Sequence, residues 1–503
     1  MFRATGQSVE QMSGRALLYE GGIQGVGIAM IRELIARNRF ARTLATRFIP
    51  PSVRQGIATA LLPPPDIELF REALSETAPM SAVPGRVVMV CGSLQPGGAE
   101  RQVANTLLGV AASPIESVTL LCDFLDETPT VKHNFYLPLA QTSGALIRAI
   151  GGGGDAEREK LPQGFLNMAS RLHPSLVDDV TNLYHEFRAL RPAVVHAWLD
   201  WSNVRAGLAA VLAGVPKVVL SGRNLSPRHF ALNTDYFHPI YLALLEREPG
   251  NVLLLNNSQA GANDYADWLS MEPGKVEVIR NGVHFPENMR PSTEHIGTFR
   301  AGLDIPADAP LVGGMFRFNL EKQPLLWLEA AAKIAEVMPD AYFVIFGRGA
   351  MRPQMENAII ALGIEKRTRL CDVITPSLNG LSPCDLVLLT SSGEGTPNVL
   401  LEAQWLGLPV VTTNAGGAAE AVLNGITGIV ATQDDASVIA NAVTAILQDK
   451  NFCAMAQKEG PSFIAGRYGM GRMIEETLAA YRLDETAYHR ETALTPIAEA
   501  KAL

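Results

Sequence analysis

Only five cysteines, Cys91, Cys122, Cys371, Cys384 and Cys453, occur in 503 residues, odd in number and without CxxC spacing. Neither a disulfide framework nor a zinc site follows, and buried thiols in a reducing compartment are expected. Basic charge is scarce as well: 42 Lys and Arg stand against 51 Asp and Glu, a net charge of −9. No cation reserve is available to neutralise phosphates, which excludes a nucleic-acid partner. No uninterrupted apolar run reaches the ~18–20 residues that span a bilayer. The N-terminus lacks a basic start followed by an apolar stretch, so no signal peptide is read. The expectation is a cytoplasmic chain, soluble or held peripherally on the cytoplasmic face of a membrane.

What is present is an ordinary globular composition, 47% apolar and 18% charged, with 44 Gly and 32 Pro. At this length two or three domains are expected. Residues 1–84 read as a helical N-terminal extension, ending in a linker at Ala78–Pro84. Within it, residues 30–49 place Met30, Ile31, Leu34, Ile35, Leu44 and Phe48 on one side of a helix, with Arg32, Arg39 and Arg47 opposite. That stripe reads either as an interfacial helix on an anionic membrane or as an arm packing on the body or a second subunit. From Arg86 onward short apolar strands alternate with helices, twice over, separated by the Pro-, Asn- and charge-rich Arg280–Arg300. Buried apolar runs joined by helices imply parallel sheets covered on both faces. The economical α/β architecture is two Rossmann-like doubly wound domains facing a central cleft, at 85–290 and 291–460. Helices at 461–485 pack back on the first domain, and a tail occupies 486–503.

The stretch Ser391–Leu408 reads SSGEGTPNVLLEAQWLGL. Asp385–Thr390 before it is a buried strand, and Thr396 and Pro397 suit the N-cap and first position of a helix ending at Trp405 and closed by Gly407. Glu394 then lies in the turn and Glu402 just over a turn into the helix, facing one crevice. Arg317 and Lys322 follow the strand Leu311–Phe316, which places two cations at a strand's carboxyl end. Opposite charges ~4 Å apart attract by about 4 kcal/mol at intermediate dielectric, before desolvation. Such cations can stabilise a departing diphosphate, or pair locally with Glu321. Gly97 and Gly98 open the helix after the first strand and let backbone approach a ligand closely; their spacing does not fit G-x-G-x-x-G. Gly347 and Gly349 form another close-approach turn after the next strand of the second domain.

Taken together, Gly97-Gly98-Ala-Glu100, Arg317 with Glu321-Lys322, Phe346-Gly-Arg-Gly349 and Glu394-x7-Glu402 resemble, in order and spacing, the family-4 (group 1) retaining glycosyltransferases. Asn257-Ser258, Ile279-Arg-Asn281-Gly282-Val283 and Leu406–Glu420 add to the likeness, which covers roughly residues 86–485. The resemblance implies a GT-B fold with a nucleotide-sugar donor held mainly by the second domain. It implies Arg317 and Lys322 on the diphosphate, Glu394 on the donor sugar and Glu402 on the ribose. Gly395, Thr396, Pro397 and Asn398 would lie beside sugar and phosphate, with Gly97 and Gly98 near the reaction centre. His196, at a strand end where the family often carries His, is a candidate catalytic residue. Transfer to a saccharide or lipid-linked saccharide acceptor, with no metal and no cofactor, is implied too, and no DxD-like pair occurs near these loops. Two other readings share these residues: a GT-B nucleotide-sugar epimerase, and a non-catalytic scaffold in polysaccharide assembly. Gly395-Thr396-Pro397 departs from the family's Gly-aromatic-Gly or Gly-aromatic-Pro turn, which leaves the donor sugar open.

Overall fold

A computed structural model describes residues 66–75, 77–127, 132–151, 161–169, 171–230, 234–247 and 251–481. The basic stripe expected at residues 30–49 lies outside them. The strands are β1 Val83–Cys91, β2 Ser117–Cys122, β3 Leu146–Ala149, β4 Pro192–Trp198, β5 Lys217–Gly222, β6 Val252–Asn256 and β7 Glu277–Val278. The second set is β8 Leu311–Met315, β9 Tyr342–Phe346, β10 Thr368–Cys371, β11 Leu386–Leu389, β12 Val410–Thr413 and β13 Gly428–Ala431. They form a seven-stranded sheet ordered β3-β2-β1-β4-β5-β6-β7 and a six-stranded sheet ordered β10-β9-β8-β11-β12-β13. Every ladder within them is parallel.

Both sheets therefore repeat the doubly wound 3-2-1-4-5-6 order, and each has a switch point where the winding reverses. In the first lobe that point lies between β1 and β4; in the second it lies between β8 and β11. Loops leaving two such strands diverge to opposite faces and open a crevice at the carboxyl edge. This explains how Lys322, after β8, and Glu394, after β11, meet although 72 positions separate them. The apolar runs behave as expected for strands covered on both sides: β11 is buried at all four residues and β12 likewise. The second core gathers Trp327, Phe343, Leu388, Leu401 and Val411 around these strands.

Several boundaries differ from the sequence reading. The segment read as a linker is already folded: Met80 donates its amide to Gly214 O at 2.8 Å, and β1 starts at Val83. A helix at Ile67–Ser75 buries Phe70, Ala73 and Leu74. After β12 the chain makes a 3-10 turn, Gly416–Ala421. At the far end the helix Lys450–Tyr468 gives way to Met470–Tyr481, which returns to the first lobe. Its Met473, Ala480 and Tyr481 join the first core, and Ile474 fills the space that a Cβ at Gly109 would need.

Candidate active site

The turn after β11 and the helix that follows carry both glutamates. The helix runs Asn398–Trp405, one residue later than the capping pattern predicts, with Pro397 at the N-cap. Thr396 does not cap it. Its hydroxyl donates instead to Asn257 O at 2.7 Å, tying the turn to the first lobe. At the other end the amides of Gly407 and Leu408 donate to Gln404 O and Ala403 O, with Gly407 at φ 83°. This is the Schellman closure, and a left-handed residue is why Gly stands there.

Glu394 is 7% exposed and is ion-paired with the Lys322 ammonium. Ser391 Oγ donates to the same carboxylate oxygen at 2.6 Å. A buried carboxylate, a half-buried ammonium and a hydroxyl on the acid form a satisfied group inside the second lobe. Glu402, 3% exposed, is engaged from the other side. Arg101, in the helix Gly98–Ala111 of the first lobe, donates Nη1 to its Oε1. The carboxylate expected to face the crevice alone is thus already bridged across the lobes. Burial opposes the Arg101 charge, yet Glu402 more than offsets this and its pKa lies above the usual value.

Around this bridge runs a chain of amides. Asn281 Nδ2 donates to Asn398 Oδ1 at 2.8 Å and to Thr396 O at 3.1 Å. Asn257 Nδ2 donates to Asn281 Oδ1 at 3.2 Å, and Arg223 Nη2 reaches the same oxygen. Gly98 O accepts from Asn398 Nδ2 at 3.2 Å, and Gly282 N donates to Gln102 Oε1 at 3.0 Å. Gly395 sits where a Cβ would collide with Arg223 O and Asn257 Oδ1. Only a residue without a side chain allows the two lobes this close an approach.

The other expected residues divide. Gly98 faces the second lobe, where a Cβ would lie 3.0 Å from Asn398 Nδ2, whereas a Cβ on Gly97 would collide with Glu100 of its own lobe. Arg317 is largely solvated, its side chain 70% exposed, with Nη2 3.9 Å from Glu321. Burial pushes the Glu100 carboxyl of the first lobe above its usual range, against hydrogen bonds from its own backbone amide and from Gln95 and a lesser pull from the Arg317 charge. Gly347 and Gly349 face inward: a Cβ on either would meet backbone of Phe316 or Phe318. Phe318 N donates to Arg348 O at 2.9 Å, so this turn braces the loop that carries Arg317 and Lys322.

His196 does not join the group as a catalytic ligand would. It lies within β4, 2% exposed, stacked on Trp198 at 4.8 Å between ring centroids and bonded through Nδ1 to Tyr481 Oη at 2.9 Å. Burial, helped by the nearby Arg223 charge, lowers its pKa to about 3, so the ring is neutral. Burial also brings the Arg223 guanidinium down to about 9, still charged at neutral pH, over the face of Trp198. The residues that reading the sequence missed are Arg101, Gln102 and Arg223, while Asn257 and Asn281 entered there only as part of the likeness, without a role. One signal was available: Arg101 falls in the first turn of a helix, where the macrodipole disfavours a cation that has no acidic partner.

Two doubly wound parallel sheets with a polar seam at their carboxyl edges define a GT-B protein. Residues 296–463 match the family described as "Glycosyl transferases group 1". The chain is 32% identical over 382 residues to the Vi polysaccharide biosynthesis protein VipC/TviE of Salmonella typhi. That match takes in 71% of this chain and 63% of the relative, less than two thirds of the latter's length. It is 26% identical over 282 residues to the UDP-Gal:alpha-D-GlcNAc-diphosphoundecaprenol alpha-1,3-galactosyltransferase of Escherichia coli, covering 55% of this chain and 72% of that one. Among solved structures, Anabaena Alr3699/HepE, crystallised with UDP and glucose, superposes with a TM-score of 0.63 at 21% identity. The superposition covers 78% of this chain and 99% of that one.

Proposed function

We propose that this chain is a retaining, metal-independent glycosyltransferase of family 4. It moves a sugar from a nucleoside-diphosphate sugar to a hydroxyl of a saccharide or lipid-linked saccharide in the synthesis of a surface polysaccharide or glycoconjugate. The reading rests above all on the pairing of Lys322 with the buried Glu394 at the second switch point, with Arg317 on the adjoining loop. A departing nucleoside diphosphate gathers negative charge. An ammonium held in place by a carboxylate, a neighbouring guanidinium and the amides opening the helix at Asn398 are suited to stabilise it. Glu394 would at the same time accept hydrogen bonds from hydroxyls of the donor sugar, and Glu402 from the ribose. The acceptor hydroxyl attacks on the side the diphosphate leaves, and the departing phosphate oxygen takes its proton.

The Escherichia coli relative's diphosphoundecaprenol acceptor and the Salmonella typhi relative's role in polysaccharide biosynthesis favour a lipid-linked or polymeric acceptor. The UDP in the Anabaena neighbour favours a uridine nucleotide. Work at the cytoplasmic face of the membrane follows from such an acceptor. The test is donor turnover by the full chain across a panel of nucleotide sugars, with and without chelator and with saccharide acceptors. Anomeric configuration of the product is read by NMR. Release of nucleoside diphosphate with an α-linked product from an α-linked donor is expected. Interconversion of the nucleotide sugar without acceptor would make the chain an epimerase, and inertness toward every donor would leave a scaffold.

A further inference from the structure

Three arginines converge on an open groove of about 600 Å³. Arg280, Arg467 and Arg472 line it, with Ser462, the ring of Phe463 and one carboxylate, Glu476. The groove straddles the two places where the chain passes between lobes. Val283, on the outgoing strand of chain, donates its amide to Tyr468 O on the returning one at 2.8 Å. Arg472 Nη2 donates across the same junction to Arg280 O at 2.9 Å and Asn281 O at 3.1 Å.

The charges here are incompletely matched. Arg280 Nη2 meets Glu420 at 3.3 Å and Arg472 Nη1 meets Glu476, two carboxylates for three guanidinium groups. Tyr468, whose hydroxyl donates to Glu420 O at 2.8 Å, lies beside Arg467. More telling, the Nε atoms of both Arg280 and Arg472 are buried and have no hydrogen-bond acceptor among the described residues. A buried N–H without an acceptor is costly, and a guanidinium presents its remaining donors as a planar fork suited to oxyanions.

We propose that this groove binds a phosphate-type oxyanion, carried by a small phosphorylated compound or by a lipid headgroup. The anion draws Arg280 and Arg472 together with Arg467 as the solvent-side arm, and the Phe463 ring walls the apolar part of the carrier. Because Asn281 follows Arg280 directly and bonds Asn398 and Thr396 in the seam, an anion here braces the crossing segments that set the lobes' spacing. The site is separate from the cleft and does not depend on the transferase reading.

Calorimetric titration of inorganic phosphate into the full chain tests it, with three variants. Arg467→Gln, at an exposed position, is expected to weaken binding at least tenfold, and Glu476→Gln to strengthen it several-fold. Arg71→Ala, whose guanidinium pairs with Glu246 away from both the groove and the cleft, is expected to leave it unchanged. Co-sedimentation with phosphatidylglycerol or phosphatidylcholine vesicles separates the sources. Binding to the former alone, lost in Arg467→Gln, identifies a headgroup; phosphate binding without vesicle binding identifies a soluble ligand. Absence of phosphate binding, equal affinity in wild type, Arg467→Gln and Glu476→Gln, or an equal loss in Arg71→Ala would each overturn the assignment.

Discussion

The two lobes share a strand order but spend their carboxyl edges differently. At the second switch point the loops carry charge that is satisfied within the lobe: Lys322 on Glu394, with Ser391 on the same oxygen. At the first, the strand interior is neutral, with His196 buried against Trp198 and Tyr481. The polar groups of the first lobe's edge reach outward: Arg101 to Glu402, and Asn257 through Asn281 toward the turn at Thr396. One edge is therefore equipped to face a charged ligand and the other to hold its neighbour in place. A repeated fold does not imply a repeated site, because function sits in the side chains grafted on it.

Removing the charge from the second edge is the harshest test of this contrast. Lys322→Ala leaves Glu394 buried without its cation, a loss of about 3–5 kcal/mol for a broken buried pair. Donor turnover is expected to fall by roughly 10²–10³-fold, as when one transition-state donor is removed. Thermal unfolding and donor turnover measured together check both, and wild-type turnover in this variant would strike the pair from the mechanism.

Next in size is the bridge between lobes. In a double-mutant cycle of Arg101→Ala and Glu402→Gln, unfolding free energies are expected to show a coupling of roughly 1–3 kcal/mol. Simple additivity would mean that the first edge does not hold the second through this pair.

A third, pH-dependent test concerns His196. Its folded pKa of about 3 lies below the ordinary 6.5, so the unfolded chain takes up a proton that the folded one refuses. Stability from this group is complete above pH 6.5 and declines by about 1.4 kcal/mol per pH unit as pH falls toward the folded value. His196→Gln should flatten that acid limb in denaturant titrations at pH 7, 6 and 5. Equal slopes would show that the folded ring is protonated after all, as a catalytic acid would be.

The smallest effect is expected on the brace behind the cleft. Arg348 is 69% exposed and pairs with Asp372, so Arg348→Ala should change stability by no more than about 0.5 kcal/mol and leave turnover within a few-fold. A loss comparable to that of Lys322→Ala would move the Gly347–Gly349 turn from support to contact with the ligand.

Much of the architecture was legible because strands buried on both faces are continuous apolar runs, and Val87–Cys91, Leu386–Leu389 and Val410–Thr413 carry no competing pattern. The closure of the Glu402 helix was legible for a similar reason, since Gly407 in a left-handed conformation is a local requirement. What local rules could not reach were contacts between distant segments. Thr396 has the composition of an N-cap, yet its hydroxyl is claimed by Asn257, 139 positions away. Glu402 reads as a free acid until Arg101, 301 positions earlier, is brought alongside it. His196 occupies a strand end suited to catalysis, but its environment is set by Tyr481 from the last described helix. Tertiary partners decided each of these cases.

That last helix has a bearing on how the molecule is made. The first lobe leaves the ribosome early, but Ile474, Met473 and Tyr481, which seal its sheet and the helix at Gly109, are translated after the whole second lobe. Domains that finish in order of synthesis shelter their apolar surface as they go. Here the earlier half waits, with a bare flank, for a lid whose Ile474 is encoded 365 codons after the Gly109 it covers, and the later half is free to complete itself first. A nascent chain of this protein is therefore most exposed to chaperones and proteases along that flank until its final turns emerge.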